Sequence, residues 1–498
     1  MQVRRTELFI DNGWVKTGKT FDVLNPFDGT VVAKMEEASK KEVDLAVAAG
    51  RRAFDDGPWP TMSNDERSAI IRRIGTELEK RKDEFAQLET LNTGKPLVEA
   101  NADIYLSYKI MNYYSGLAEN IRAETMEVSD PNFFWFTTYE PVGLVCVIPP
   151  FNFPLHLATR SLAPALAAGN TAIIKPSTLT PLTATLFGEV LVAAGVPPGV
   201  VNVVNGPGST VGSLLTHHPQ VDMIAFTGSK DVGVEIQRAA AETMKRTVLE
   251  LGGKSPAIIF DDADIEQAAK AMLFAFCYNQ GEVCAACTRY YVQKGVYGRF
   301  LEEFKRQVGK LKLGNGFDPT TQMGPLISAK QVDKTEQAIR KAVKEGAVLE
   351  MGGSRPKGGA LGKGFFFEPT ILSVTRNDLD IVQEEVFGAV AIIRSFDTDE
   401  EAIALANDTQ YGLAAYIWSK DIKRCLRTYR RIRAGCIWVN SYDAVFMQGA
   451  FGGFKMSGIG RDYGYSGLKE FMELKSGIVS LHPNGLDWYG DTYPGWPK

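Results

Sequence analysis

The feature that most constrains the fold is an alternation of apolar runs and helical segments between residues 142 and 260. Short, continuous apolar runs occupy 143–148, 172–174, 200–204, 223–226 and 257–260, and helical periodicity fills 155–168, 182–194, 209–215 and 232–244. Strands that are buried on both faces of a parallel sheet have this continuous apolar character, and their crossover connections are usually helices. The pattern therefore predicts an α/β fold with a doubly wound parallel sheet.

The remaining segments predict further structure on both sides of this sheet. Short strands are expected within 7–34, followed by helices at 40–54, at 64–91 with Asn64 as its N-cap, and at 95–114. Alternating aromatic and polar residues at 122–140 predict an exposed strand pair. A second α/β segment is expected from 262 to about 456, with helices at 265–278, 299–310 and 328–344. The turn-rich tail after Gly477 is predicted to be an arm.

Composition excludes several classes of protein. At 498 residues the chain is long enough for two or three domains, and its net charge of −4 does not favour a general nucleic-acid binder. The sequence contains no run of 18 apolar residues, so no membrane span is predicted, and its N-terminus has no apolar stretch of signal length. Six cysteines in a chain this long do not make a disulfide scaffold. We expect a reduced, cytoplasmic protein that binds neither membrane nor nucleic acid.

Two glycine-containing turns are candidate phosphate sites. Gly206, Gly208 and Gly212 follow an apolar run, but their spacing misses G-x-G-x-x-G by one residue, so a tight turn explains them equally well. Gly228 and Ser229 end another apolar run and precede a helical segment. The free N–H groups and the dipole of that helix would suit a pyrophosphate.

The segment YNQGEVCAACTR contains the candidate nucleophile. Cys284 is surrounded by small, uncharged residues that leave room for a substrate. Cys287 completes a C-x-x-C pair, which also allows a redox dithiol or half of a zinc site. No second pair or neighbouring histidine completes a metal set, so no metal is predicted.

Two further residues are candidates for acid–base and oxyanion chemistry. Glu250 lies in an apolar run before Gly-Gly, where burial would raise its pKa toward neutrality and make it a usable base. A carboxylate that merely ends a strand would show the same pattern. Asn152 lies between prolines after a predicted strand and could donate to an oxyanion or simply form a turn. Only four histidines are present, which gives little support to a Cys-His relay.

Together these segments resemble the NAD(P)-dependent aldehyde dehydrogenase family over essentially the whole chain. The motifs occur in the family's order: PPFNFPL, IIKPSTLTP, FTGSKDVG, LELGGKSP, NQGEVCAACTR, EEVFG and FGGFKMSGIGR. The resemblance implies a Rossmann-like cofactor domain, and aldehyde oxidation to the carboxylic acid through a cysteine thiohemiacetal and a thioester. It assigns Cys284 as nucleophile, Glu250 as the base for hydrolysis and Asn152 as the oxyanion donor.

The resemblance also implies a site for NAD or NADP and a channel for the aldehyde. The cofactor positions are Ile148, Pro150, Phe151, Lys175, Ser177, Thr178, Gly208, Phe226, Gly228, Ser229, Leu251, Glu385 and Phe387. The channel positions are Phe153, Leu157, Arg160, Tyr278, Val283, Ala285, Val445 and Phe451.

Two positions depart from common family patterns. Thr178 stands where NAD-preferring members often carry a glutamate that repels a 2′-phosphate, so the use of NADP is expected to be open. Arg160 stands where members acting on simple aldehydes often carry an aromatic residue. It could meet a carboxylate or hydroxyl of the substrate, although arginine is also common at this site without that role. The mostly apolar neighbours leave an aromatic or medium-chain aldehyde open.

The family's architecture implies three parts and an assembly. They are a cofactor-binding domain at 1–122 and 142–251, a catalytic domain at 252–456, and an oligomerisation arm at 123–141 and 457–498. A homodimer or homotetramer is expected. A CoA-acylating semialdehyde dehydrogenase is one alternative, which Glu250 disfavours because such relatives usually lack it. A non-catalytic protein that retains the fold is another.

Overall fold

The computed structural model describes residues 3–442 and 444–483. Its strands, in chain order, are β1 Leu8–Ile10, β2 Gly13–Val15, β3 Thr20–Leu24, β4 Val31–Glu36, β5 Thr125–Met126, β6 Phe133–Pro141, β7 Leu144–Ile148, β8 Thr171–Ile174, β9 Val201–Val203, β10 Met223–Thr227, β11 Arg246–Glu250, β12 Ser255–Ile259, β13 Cys287–Gln293, β14 Val348–Met351, β15 Thr370–Ser373, β16 Val390–Phe396, β17 Ala414–Trp418, β18 Cys436–Val439, β19 Gly458–Ile459 and β20 Met472–Ser480.

The α-helices pack around these strands. They are α1 Lys40–Asp55, α2 Asn64–Lys80, α3 Lys82–Thr93, α4 Leu97–Ala118, α5 Pro154–Ala168, α6 Leu182–Ala193, α7 Ser213–His217, α8 Lys230–Ala241, α9 Ile265–Cys277, α10 Tyr297–Val308, α11 Ala329–Lys344, α12 Asp380–Gln383, α13 Asp399–Asn407, α14 Ile422–Tyr429 and α15 Gly464–Glu470.

The predicted α/β fold is confirmed, and its largest sheet has the order β19-β11-β10-β7-β8-β9-β1-β2 within the described residues. Strands β11, β10, β7, β8 and β9 run parallel to their neighbours in this group, and helices connect most of them. The strand predicted at 257–260 is β12, and it lies in the other large sheet. Its place here is taken by β11, which the prediction missed because Arg246, Thr247 and Glu250 interrupt the apolar pattern.

The second large sheet has the order β14-β15-β16-β13-β12-β17-β18. It contains the seven strands from β12 to β18, and all of them except β12 lie in the second α/β segment that was predicted from residue 262. Strand β13 begins at Cys287, three residues after the candidate nucleophile Cys284. The proposed nucleophile therefore lies on the connection that enters the middle of this sheet.

A smaller sheet joins the two parts of the predicted arm. Strand β20 pairs antiparallel with β6 from Met472 opposite Pro141 to Ser480 opposite Phe133, and β5 pairs with the other edge of β6. Strand β19, also within the predicted arm, pairs instead with β11 of the large sheet. Residues 484–498 of the arm lie outside the described residues. The domain bounds as such stay a prediction.

Helix ends differ from the prediction for local reasons. Ser63, rather than Asn64, caps α2, because Glu66 completes a capping box with Ser63. The single helix predicted at 64–91 is two helices that meet at Arg81, and the next helix starts only after Pro96. The segment predicted as a helix at 209–215 is a π-helical turn, Gly208–Gly212, followed by α7. Among the described residues, no helix is long and apolar enough to cross a membrane.

Candidate active site

The candidate site lies at the carboxyl ends of neighbouring parallel strands. The register of the large sheet places Ile148 beside Phe226, and Thr227 beside Glu250. The chain leaves β7 through Pro149 and Pro150 and enters α5 at Pro154, so Asn152 lies on a short connection between these elements. Ligands of open α/β sheets bind at this end of the strands.

A cleft of about 820 Å³ opens at these strand ends. It brings together all of the predicted cofactor positions except one: Ile148, Pro150, Phe151, Lys175, Ser177, Thr178, Gly208, Phe226, Gly228, Ser229, Glu385 and Phe387. Leu251 is the exception; its side chain is in the core, and its N–H donates to the carbonyl oxygen of Ser457. Residues on α7, α8 and α11 that the sequence prediction missed also line the cleft, including His217, Glu235, Gln331 and Lys334.

The start of α8 is suited to a phosphate group. Ser229 is the N-cap of this helix, and its side chain makes no capping hydrogen bond within the described residues. The N–H of Gly228 donates to the carbonyl oxygen of Glu250 at 3.1 Å, which ties this turn to the end of β11. Because the first turn of α8 opens to the cleft, its N–H groups and the positive end of the helix dipole can bind an anion.

Two ionisable residues, Lys175 and Glu385, line other parts of the cleft. Lys175 is buried, its Nζ donates to the carbonyl oxygen of Pro176 at 3.0 Å, and burial lowers its pKa to about 8. Burial raises the pKa of Glu385 to about 7, while the N–H of Gly253 donates to its Oε1 at 3.2 Å. Phe387 has a positive φ of 62° and packs edge-on against Phe151. These groups fit the hydroxyls, phosphates and flat ring of a dinucleotide.

A second cavity of about 230 Å³ contains every predicted channel position. They are Phe153, Leu157, Arg160, Tyr278, Val283, Ala285, Val445 and Phe451. Rings form much of its wall, since Phe153 stacks on Tyr278 with a centroid distance of 6.1 Å. Asp103, His156 and Tyr463 line it as well and had not been predicted. Among the described residues, Cys284 is the one that lines both this pocket and the cleft.

Asn152 is held next to the nucleophile by a network of hydrogen bonds. Its Nδ2 donates to the carbonyl oxygen of Glu282 at 2.7 Å, two residues before Cys284. Asn279 adopts a left-handed conformation, with φ 48°, and its Nδ2 donates to the carbonyl oxygens of both Asn152 and Glu282. Within the described residues, one N–H of the Asn152 carboxamide therefore remains for a ligand, and the bond to Glu282 ties the carboxamide to the segment of Cys284.

Glu250 is buried, with 2% of its surface exposed, and lines the cleft together with Cys284. Neither carboxylate oxygen has a hydrogen-bond partner among the described residues, and a Cβ on Gly452 would lie 2.7 Å from Oε1. Burial raises the pKa of Glu250 well above its usual value, the charge of Asp462 adds to the rise, and Arg160 opposes it. A carboxyl group in such surroundings can accept a proton near neutral pH.

Arg160 has a buried acidic partner that the sequence prediction did not include. Its Nε lies 2.7 Å from Oδ2 of Asp462, and its Nη2 donates to Oγ1 of Thr227 at 2.9 Å. Burial disfavours the charge of Arg160, but the charge of Asp462, together with smaller contributions from Tyr463, Glu250 and Cys284, outweighs that cost, so the pKa of Arg160 is raised. The only signal for Asp462 in the sequence was its position directly after the FGGFKMSGIGR motif.

The second cysteine of the C-x-x-C pair lies in the protein interior. Cys287 is fully buried, its Sγ lies 3.8 Å from the carbonyl oxygen of Arg289, and burial raises the pKa of its thiol. This environment does not favour a thiolate. In the described part of the chain, no group of three or more His, Cys, Asp or Glu residues is placed to hold a metal ion.

Comparison with known proteins gives a consistent result. Residues 14–477 match the model of the aldehyde dehydrogenase family. A betaine aldehyde dehydrogenase of Bacillus subtilis (strain 168) is 43% identical over 484 residues, which cover 97% of this chain and 99% of that relative. Retinal dehydrogenase 2 of Homo sapiens is 41% identical, covering 97% of this chain and 93% of its own. The crystal structure of betaine aldehyde dehydrogenase from Staphylococcus aureus in complex with NAD+ superposes with a TM-score of 0.95 at 39% identity, covering 97% of this chain and 96% of that one.

Proposed function

Because this chain belongs to the aldehyde dehydrogenase family and oxidises an aldehyde to its carboxylic acid with NAD+ or NADP+, we propose that Cys284 is the nucleophile that links its two cavities. The observation that supports this role most directly is that Cys284 lines both the cleft and the aromatic pocket. A hydride can pass from the aldehyde to the cofactor only where the two meet.

The proposed first half-reaction forms a thioester on Cys284. The thiolate adds to the aldehyde carbon, and the oxygen that becomes negative accepts hydrogen bonds from Asn152 Nδ2 and the Cys284 N–H. The bound dinucleotide supplies the acceptor for the hydride, which leaves that carbon with its electron pair. The network that holds Asn152 to Glu282 keeps the donor in place before the substrate arrives.

In the second half-reaction, Glu250 acts as the base. It takes a proton from water, the water oxygen bonds to the thioester carbon, and the C–S bond breaks to return the Cys284 thiolate. The buried, unpartnered carboxylate among the described residues supports this role, because its raised pKa makes it a stronger base than an exposed glutamate.

The cofactor contacts that we propose follow the lining of the cleft. Ser229 and the start of α8 hold the pyrophosphate, Lys175 and Thr178 face the adenosine ribose, and Glu385 accepts hydrogen bonds from the nicotinamide ribose. The relative from Staphylococcus aureus was crystallised with NAD+, which supports NAD+ as a cofactor here. Thr178 carries no charge that would exclude NADP+.

For the substrate, we propose an aldehyde with an apolar or aromatic body in preference to one that carries a carboxylate. Phe153, Leu157, Tyr278 and Phe451 provide mostly apolar walls, and Asp462 already pairs with the charge of Arg160. The names of relatives include betaine aldehyde and retinal as substrates, so a cationic and a long apolar aldehyde are both candidates.

A panel of aldehydes tests this proposal. Hexanal, benzaldehyde, retinal, betaine aldehyde and succinic semialdehyde are each assayed for NADH and NADPH formation. We expect kcat/KM to be higher for the aldehydes without a carboxylate than for succinic semialdehyde; a clear preference for succinic semialdehyde would contradict the proposal. Addition of CoA should yield no acyl-CoA, and its appearance would favour the CoA-acylating alternative.

We further propose that the chain is a cytoplasmic homodimer or homotetramer that pairs through the sheet of β5, β6 and β20. Phe134, Leu474 and Ile478 on this sheet are each about half exposed, which is unusual for apolar side chains of a strand pair. Light scattering of the wild type and of Leu474→Lys/Ile478→Lys compares their masses. A smaller mass for the variant is expected, and an unchanged mass would reject this surface.

A further inference from the structure

Lys95 is a fully buried cation whose ammonium group lies behind the candidate oxyanion donor. It stands between α3 and α4, and none of its side-chain surface is exposed. Its Nζ donates to Oδ2 of Asp103 at 2.5 Å and to the carbonyl oxygen of Asn152 at 2.7 Å. The same Nζ lies 4.3 Å from the ring centroid of Phe153. A buried ammonium is costly unless it is fully paired, so this arrangement calls for an explanation.

The hydrogen bond from Lys95 completes a set of contacts that holds both the main chain and the side chain of Asn152. Lys95 and Asn279 donate to its main-chain carbonyl, while its own carboxamide donates to Glu282. Lys95 is the charged member of the set, and a charge-assisted hydrogen bond is stronger than a neutral one. Without Lys95, the carbonyl of Asn152 would keep one amide donor at 3.1 Å.

Asp103 connects the same ammonium group to the aldehyde pocket. Its side chain lines that pocket and pairs with Lys95, and both side chains are almost fully buried. Asp103 also interacts with Tyr278, one of the aromatic walls. The ion pair thus lies between the pocket and the main chain that carries Asn152 and Phe153.

We propose that Lys95 is a positioning residue that fixes the carboxamide of Asn152 for the developing oxyanion, with Asp103 orienting the Lys95 ammonium group. This inference rests on the proposed role of Asn152 as oxyanion donor. Small displacements of such a donor are costly: a shift of about 1 Å can lower a rate by about 10²-fold. Lys95 touches no reacting atom and acts only through Asn152.

The test is a double-mutant cycle on the full-length protein with the fastest aldehyde of the panel and NAD+. Lys95→Met alone would leave the Asp103 carboxylate buried without its cation, so the cycle uses Lys95→Met/Asp103→Asn, which keeps the pair neutral. We expect this variant to lower kcat about 10- to 100-fold. Asn152→Ala should lower kcat about 10²–10³-fold. Combined, the substitutions should cost no more than about twofold beyond Asn152→Ala, because coupled residues are not additive.

Two controls separate positioning from general damage. Arg67→Met removes another buried cation, whose Nε donates to the carbonyl oxygen of Ala167 away from the site, and it should leave kcat unchanged. The dissociation constant for NAD+, measured by protein fluorescence, should stay the same in every variant. Asp103→Asn alone, which keeps Lys95, should give a smaller loss of kcat and serves if the double variant does not fold.

The outcomes distinguish this inference from the proposal beneath it. If the Lys95 and Asn152 effects multiply in full, or if both Asp103→Asn and the double variant keep wild-type kcat, the inference on Lys95 is wrong and the role of Asn152 is untouched. If Asn152→Ala keeps wild-type kcat, the proposed role of Asn152 fails, and the inference on Lys95 fails with it.

Discussion

The guanidinium group of Arg160 is paired with the carboxylate of Asp462, whose Oδ2 lies 2.7 Å from Arg160 Nε, and both side chains are almost fully buried. Both groups also act on Glu250: the charge of Asp462 raises the pKa of that carboxyl group, and the charge of Arg160 lowers it. Burial is the largest cause of the raised pKa of Glu250, and the pair adjusts this pKa from a position beside the aldehyde pocket.

This arrangement predicts opposite effects of two substitutions on the pH dependence of turnover. Glu250 must be deprotonated to act as a base, so activity is lost as the pH falls through its pKa. Asp462→Asn should move this acidic limb of the kcat profile to lower pH, and Arg160→Gln should move it to higher pH. The profiles are measured under conditions where thioester hydrolysis limits the rate.

Asp222→Asn provides a matched control, because Asp222 also pairs with an arginine, Arg51, but lies at the amino end of β10, whereas Glu250 lies at the carboxyl end of the neighbouring strand β11. It should leave the acidic limb in place. Shifts of both site variants in the same direction would contradict the electrostatic account.

Replacing the nucleophile should separate chemistry from cofactor binding. Cys284→Ala removes the atom that carries the acyl group, so we expect no NADH formation and an unchanged affinity for NAD+. Turnover assays and fluorescence titration measure the two quantities. Cys287→Ala is the control: this thiol is fully buried in the start of β13, so aldehyde oxidation should persist. Steady turnover by Cys284→Ala would eliminate the thioester mechanism.

Glu250→Gln should block the second half-reaction and spare the first. The carboxamide cannot take a proton from water, but thioester formation does not need it. Rapid mixing with aldehyde and NAD+ should give a burst of about one NADH per site, followed by slow turnover. Loss of the burst together with turnover would place Glu250 in the first half-reaction instead.

The sequence predicted the parallel strands because their apolar runs record burial on both faces. It missed β11, where Arg246 and Glu250 carry charge at the two ends of a strand whose middle is buried. The carboxyl group of Glu250, which interrupts the apolar pattern of the strand, is also the group that its proposed role as a base requires. The N-cap of α2 was misplaced by one residue because Ser63 and Asn64 are both good caps.

The site was predicted in outline because its residues lie in recognisable motifs, and the structure brings them to one cleft and one pocket. Residues that act through other residues could not be predicted from motifs. Lys95 lies far along the chain from Asn152, and Asp462 lies far from Arg160, so their roles become visible only when burial and distance are known. Leu251 lies inside one of these motifs, and its side chain is in the core, so its predicted contact with the cofactor stays a prediction.

The last prediction concerns the choice between NAD+ and NADP+. Thr178 lines the cleft near Lys175, where the adenosine ribose is proposed to bind, and it carries no charge. A glutamate at this position would accept a hydrogen bond from a ribose 2′-hydroxyl and would repel a 2′-phosphate, since opposing like charges cost several kcal/mol. We therefore expect wild-type protein to use both cofactors and Thr178→Glu to lower kcat/KM for NADP+ about 10²-fold or more, with little change for NAD+. Thr178→Gln, of the same size without the charge, should reduce NADP+ use far less. Strong discrimination against NADP+ by the wild type would show that another group in the cleft selects the cofactor.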